Sequence, residues 1–326
     1  MDVKLKKVKD MKIKLLGKSA FTIPTKPNMF KLNTLMYIVA KRGGGKTSLA
    51  TSLIKELFDD GVLDRLILVS PTFHSNRDMF STMPNFNEQE DVLYPDQNSP
   101  ALIEKKIQDM ADAVNNYLSQ LEVYKELKRN KNKNELIMDN MELYYENEII
   151  NENGNLIKPI QPFKNLYPRV FVLIDDSVGT NLMIGRGARD LSKLCLTHRH
   201  LGKHRDGVLG CSLAILSQTI STHGGLSRCV RENSTIVAIK PTKDKKKLKQ
   251  YYEELADDIT EDEFYMLLHI ATKDNEYNFL LIDYSPKDPK KKYRKNMDTF
   301  IDINDIRKLL KDVEEKPEDI ILNEKK

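Results

Sequence analysis

Leu35-Met36-Tyr37-Ile38-Val39-Ala40-Lys41-Arg42-Gly43-Gly44-Gly45-Lys46-Thr47-Ser48 decides how the rest of the chain is read. Leu35 to Val39 is an apolar run of strand length. A glycine-rich turn follows, then Lys46-Thr47, then Ser48-Leu49-Ala50-Thr51-Ser52-Leu53-Ile54, which has helical character. Strand, glycine loop, Lys-Thr and helix in that order is the phosphate-binding loop pattern. Glycines let the backbone turn back so that several N–H groups converge on phosphate oxygens, and the positive end of the next helix adds to that field. Residues Lys41, Arg42, Gly43, Gly44, Gly45, Lys46, Thr47 and Ser48 are therefore the candidate nucleotide cradle. Lys46 would reach the β and γ phosphates, and the Thr47 hydroxyl would ligate Mg2+. The first glycine of the pattern is Ala40 here, which fits if its φ is negative. The reading implies that the chain binds a nucleoside triphosphate, with ATP and Mg2+ as the expected cofactors.

The 326 residues are 40% hydrophobic and 31% charged, the balance of a globular chain and not of a disordered one, and long enough to bury a full α/β core. A formal net charge of +4 is mild for this length and by itself argues for no partner. Cys195, Cys211 and Cys229 form no CxxC pair and no disulfide framework, which fits a reducing compartment. No apolar run approaches transmembrane length, and no apolar segment follows the Lys-rich start. A soluble intracellular protein is expected.

Along the chain, residues 1–29 alternate Lys with apolar residues and read as an arm or edge strand. The main domain is expected over 30–286, with a helical and charged insertion over about 100–160. A basic and then acidic tail is expected over 287–326. Arg65-Leu66-Ile67-Leu68-Val69 reads as a second buried strand, and buried strands alternating with helices imply a parallel sheet. Ser70, Thr72 and His74 then lie on the ligand-binding edge, or simply cap the turn. Ile103, Ile107, Met110, Val114, Leu118, Leu121 and Tyr124 recur at helical spacing, and Lys128 to Asn155 carries little periodicity. Tyr277 to Tyr284 reads as a final strand.

Pro168 leads into Val170-Phe171-Val172-Leu173-Ile174-Asp175-Asp176, an apolar strand ending in paired carboxylates. Behind a phosphate loop this is the Walker B pattern. Asp175 would hold the metal, and Asp176 could polarise an attacking water as general base. Gly185 to Arg205 is dense in cations. His198, His200 and His204 beside Cys195 lack any standard zinc spacing. Cys211 to Thr219 is a further buried strand ending in Ser217-Gln218, and a glutamine there can sense the γ-phosphate and orient water.

The order of these elements resembles the FtsK–HerA superfamily of DNA-pumping ATPases. Within it the chain looks most similar to the genome-packaging ATPases of poxviruses, other large double-stranded DNA viruses and virophage-like elements. The residues that carry this are Lys41 to Thr47, Ser70-Pro71-Thr72, Leu173 to Asp176, His198-Arg199-His200, Ile215 to Thr219, Val230 to Asn233, and Asp262-Glu263-Phe264 with Phe279 to Asp283. The resemblance implies a RecA-like P-loop fold with a mostly parallel sheet flanked by helices, and a homo-hexameric ring with double-stranded DNA in its pore. It also implies hydrolysis coupled to sequence-nonspecific translocation, capsid proteins as further partners, and a location at the viral assembly site in the host cytoplasm or in the virion. On that analogy Arg199 is the first candidate for an arginine finger, with Arg231 and Arg228 as rivals. Lys243 to Lys249 and Lys287 to Lys295 are candidate DNA contacts. A cellular HerA-like helicase or transfer motor shares this chemistry, and a small-molecule P-loop kinase shares its Lys46, Thr47 and Asp175.

Overall fold

Strand β1 (Leu35–Val39) and helix α1 (Lys46–Asp59) form where the sequence puts them, and β2 (Arg65–Val69) follows. The computed structural model describes residues 25–26, 29–130, 133–220, 225–286 and 288–315. A two-residue edge strand, β3 (Val92–Leu93), precedes the long helix α2 (Ser99–Arg129). The Walker B run is β4 (Val170–Ile174), followed by α3 (Gly185–Thr197) and β5 (Cys211–Ser217). The chain continues through β6 (Ile236–Ile239), α4 (Lys245–Leu255), α5 (Glu261–Thr272) and β7 (Leu280–Asp283). It then runs through β8 (Tyr293–Lys295), β9 (Thr299–Ile301) and α6 (Ile303–Glu315).

These strands make one nine-stranded sheet in the order β9-β8-β7-β6-β1-β5-β4-β2-β3. From β6 to β3 every pairing is parallel, and β7, β8 and β9 add an antiparallel meander. All residues of β1, β4 and β5 are buried, as the continuous apolar runs predict for strands covered on both faces. Alternation splits them between two cores. Met36, Ile38, Leu173 and Leu216 pack with Leu53, Ile54 and Leu57 of α1. Tyr37, Val39, Val172 and Ile215 face Ile103 and Ile107 of α2, Leu194 of α3 and Leu267 of α5.

Lys128 to Asn155, which carries little periodicity in the sequence, folds around local contacts. It holds short helices at Lys133–Asp139 and Met141–Glu146, a bridge between Ile150 and Leu156, and its own small core of Leu127, Ile137, Ile149 and Ile150. Two expectations need correction: residues 288–315 do not form a tail, because β8 and β9 extend the sheet, and the final strand of the expected run Tyr277 to Tyr284 is only Leu280–Asp283. Lys290 pairs with Asp302, Lys292 with Asp257 and Asp258, and Lys295 with Asp274, so much of that basic run is neutralised within the chain. Lys287 and most of the expected 1–29 arm lie outside the described residues.

The meander is fixed by a buried ion pair. Arg294 donates to Asp283 at 3.2 Å and to the Met297 carbonyl at 3.2 Å, and its guanidinium lies 4.4 Å from the Phe30 ring centroid and 4.6 Å from that of Phe300. Both partners are 3% exposed. Removing one member would strand a buried charge, so Asp283→Ala is expected to lower stability by about 3–5 kcal/mol. Its denaturant midpoint should fall well below that of Asp305→Ala, a surface substitution expected to change stability by less than about 0.5 kcal/mol.

Candidate active site

The parallel strands bring their carboxyl ends to one edge, and the cleft there has a volume of about 380 Å³. The phosphate loop bridges β1 and α1 through Gly43 (φ 72°) and Gly45 (φ 81°), backbone angles that favour glycine. At Gly44 the restraint is space: a Cβ would lie 2.9 Å from both the Ala40 Cβ and the Lys41 carbonyl oxygen. Ala40 is not among the residues with positive φ, so the alanine in the first glycine position fits.

Lys46 donates to the Ala40 carbonyl at 2.9 Å and to that of Lys41 at 3.2 Å, which ties its ammonium across the loop. Burial lowers its pKa, and the charges of Asp175 and Asp176 oppose that shift. The Thr47 hydroxyl donates to Asp175 Oδ2 at 2.8 Å. Asp175 is 3% exposed, and burial raises its pKa against the Thr47 hydrogen bond. The strand ladders continue to these tips, with Asp175 N donating to the Val69 carbonyl at 2.9 Å and Ala40 N to that of Ser217 at 3.2 Å. Because Ile174 stands opposite Ile215, Asp175 and Asp176 leave β4 alongside the last residues of β5, with Gln218 just past that strand's end. Gln218 Nε2 there donates to Asp176 Oδ1 at 3.3 Å. Asp176 has φ 51°, an unusual angle for a non-glycine residue and typical of strain kept at a working site.

Thus Arg42 to Ser48, Asp175, Asp176 and Gln218 all line one cleft, with Thr72 among them. Lys41 stands outside the lining of the cleft, and its carbonyl accepts from Lys46. His74 and Ser70 line a separate hollow beyond the β2 tip. Ser75, Asn76, Met79 and Tyr277 also line the cleft and carry no motif in the sequence; only their positions just after β2 and just before β7 could have pointed to them. The Thr47 hydroxyl and Asp175 carboxylate are hard oxygen donors within one ion's reach of each other, a set that fits Mg2+. Among the described residues, no three His, Cys, Asp or Glu side chains gather as a metal site.

The cationic element sits elsewhere. The turn His198–His200 packs beside the start of β5, where a Cβ on Gly210 would lie 3.1 Å from the Arg199 carbonyl oxygen. Gln218 is at the other end of that strand, and seven residues at about 3.3 Å each separate the two by roughly 23 Å. Arg199 is half-buried and distant from its own chain's cleft. Arg231 binds Glu254 through two nitrogens at 2.8 and 3.0 Å and the Leu226 carbonyl through the third at 2.6 Å. Arg228 pairs with Glu232 on the surface.

The strand order, the loop and the carboxylate opposite it decide the fold. This is a P-loop nucleotide-binding fold. No protein-family model matches the chain, and no curated protein sequence does. Among solved structures, it is similar to the genome-packaging NTPase B204 of Sulfolobus turreted icosahedral virus 2 in complex with sulfate. That match has 10% identity over 81% of this chain and 95% of B204, with a TM-score of 0.41. The pCW3 conjugation coupling protein TcpA matches at 14% identity over 85% of this chain and 65% of TcpA, with a TM-score of 0.40. The cytoplasmic domain of the type VII secretion ATPase EccC from Thermomonospora curvata matches at 14% identity over 85% of this chain and 28% of EccC, with a TM-score of 0.36. No described helix is long and apolar enough to cross a membrane.

His198 gives the cationic element a measurable signature. Its ring contacts the Cys195 carbonyl at 3.2 Å, and burial pushes its pKa down to about 4 from 6.5, helped by the charges of Arg199 and His200. In the unfolded chain the imidazole takes a proton below about pH 6.5, which the folded chain resists until about pH 4. Stability should therefore fall on acidification between those values, by roughly 1.4 kcal/mol per pH unit. The His198→Met variant should show a smaller drop in denaturant midpoint between pH 7 and 5 than the parent chain.

Proposed function

We propose that this chain is a Mg2+-dependent ATPase that translocates double-stranded DNA of any sequence and packages a viral genome into its capsid. The observation that supports it best is the 2.8 Å contact between the Thr47 hydroxyl and Asp175, which closes the phosphate loop against the Walker B strand. A bound Mg2+ would neutralise charge building on the β- and γ-phosphate oxygens. Lys46 holds the same oxygens from the loop side. Gln218 and Asp176, joined at the far rim, are placed to orient a water and to take its proton. The sequence resemblance to packaging ATPases supplies the DNA substrate, the capsid partners and the assembly-site location. Lys243, Lys245 and Lys246 add exposed cations just beyond the tip of β6, on the cleft's edge of the sheet. Contacts of that kind read phosphates and not bases, as a motor that passes any sequence requires.

ATP hydrolysis by the purified chain should rise with double-stranded DNA of unrelated sequences and weaken steeply with salt. Lys46→Ala and Asp175→Asn should each lower kcat/KM by roughly 10²-fold or more. Turnover indifferent to DNA but raised by a small phosphate acceptor would instead identify a kinase.

The ring reading makes Arg199 a residue that serves a neighbour, since its own cleft lies at the opposite edge of the sheet. Rings mixed from inactive Lys46→Ala and inactive Arg199→Ala subunits should regain turnover, because some interfaces then combine an intact loop with an intact finger. No recovery in rings verified by native mass measurement would remove Arg199 from that role.

A further inference from the structure

The two ends of the cleft differ in chemistry. Asp175, Asp176 and Gln218 stand on the β4 and β5 side of the phosphate loop. Across β1, on the β6 and β7 side, the lining turns aromatic at Tyr277. That residue sits in the turn between α5 and β7. Its amide donates to Asn275 Oδ1 at 2.8 Å, and the Asn278 amide donates to the Asn275 carbonyl at 3.1 Å. The turn therefore has a fixed shape and lies directly against the loop: a Cβ on Gly45 would come within 3.2 Å of Tyr277 Cδ1. Lys240, at the tip of β6, places its ammonium 5.2 Å from the Tyr277 ring centroid and 5.1 Å from that of Phe279, and donates to the Glu276 carbonyl. Even so, the tyrosine is 57% exposed, an aromatic ring held in place and left open to the cleft.

A triphosphate has a direction. With its γ end between Lys46, Thr47 and Asp175, the α-phosphate and sugar must leave the loop away from β4 and β5. They emerge on the side where Tyr277 stands. We infer that Tyr277 stacks on the nucleobase of the bound nucleoside triphosphate, forming the base subsite of this cleft. The inference rests on the nucleotide-binding reading above. Every nucleobase offers a π face, so stacking holds the base without reading its hydrogen-bonding edge. Lys240 fixes the ring through its cation–π contact and acts on the base only through it.

The chain has no tryptophan, so Tyr277→Trp would introduce a single fluorescent reporter at this point. In the full chain with Mg2+, ATP is expected to quench that fluorescence saturably, whereas inorganic tripolyphosphate should occupy the loop and compete with ATP without quenching. Tyr277→Ala should raise the Kd for ATP about tenfold, near the low end of one base–aromatic stack. The same variant should leave the Kd for tripolyphosphate unchanged, and Tyr277→Phe should keep the parent affinity for both. Equal losses for ATP and tripolyphosphate in Tyr277→Ala would mean that the ring only shapes the loop at Gly45, and would overturn the proposal. Unchanged ATP affinity in Tyr277→Ala, or indole fluorescence of the Tyr277→Trp variant that is blind to ATP, would overturn it as well. A parent chain that binds neither ligand would instead sink the nucleotide-binding reading on which it rests.

Discussion

Thr47 and Asp175 stand 128 residues apart in sequence, and a single hydrogen bond joins them. That bond exists only because β1 and β4 run parallel with β5 between them, all three ending at the same edge. The register is exacting. A slip of one residue in β4 would turn Val172 and Ile174 out of one core and Phe171 and Leu173 out of the other, inverting every side chain at the strand tip. Burial of these alternating faces therefore sets where the carboxylate stands. Stability of the sheet and geometry of the site are one constraint.

That placement has an electrostatic consequence. Asp175 is taken out of water, which disfavours its ionised form, and the Thr47 hydroxyl and the Lys46 ammonium offset part of that penalty. Lys46 meets the mirror situation, its charge disfavoured by burial and supported by two carboxylates. Each group is thus held in a state that a divalent cation and a polyphosphate would complete: the cation by satisfying the carboxylate, the polyphosphate by satisfying the ammonium. Asp176 differs. It is exposed, strained at φ 51° and tied to Gln218, so it stays in contact with solvent at the rim where a water would enter.

The central strands and the phosphate loop were legible because burial on both faces writes itself as unbroken apolar runs, and because the loop's glycines have few substitutes. β3, β8 and β9 were not. They are two or three residues long, and Tyr293-Arg294-Lys295 reads as part of a lysine-rich tail until its partners are known. Only tertiary contacts turn Arg294 from a surface cation into a buried one. Within the expected helical insertion, the small core after α2 was not legible for a related reason: it draws on Leu127, Ile137, Ile149 and Ile150, which no single helical or strand period connects. At the site, the loop and Walker B residues carry motifs, while Tyr277 reaches the cleft through a turn that no short pattern describes.

The meander explains why that turn is where it is. β7 is the first antiparallel strand beyond β6, so the chain entering it passes over the carboxyl ends of the parallel strands and not their amino ends. Were β7 an exposed edge, the turn would be held to the sheet only through β6, by the strand pairing and the Lys240 contacts. β8 covers that edge, the Arg294–Asp283 pair locks β8 to β7, and the Asn296 amide donates to the Phe279 carbonyl at 2.9 Å right beside the turn. An unpaired strand end frays, and a frayed β7 would let Tyr277 drift from Gly45. The C-terminal strands thus act on the phosphate loop from one side as β5 does from the other, each fixing a polar or aromatic tip against a loop that glycine leaves free to bend.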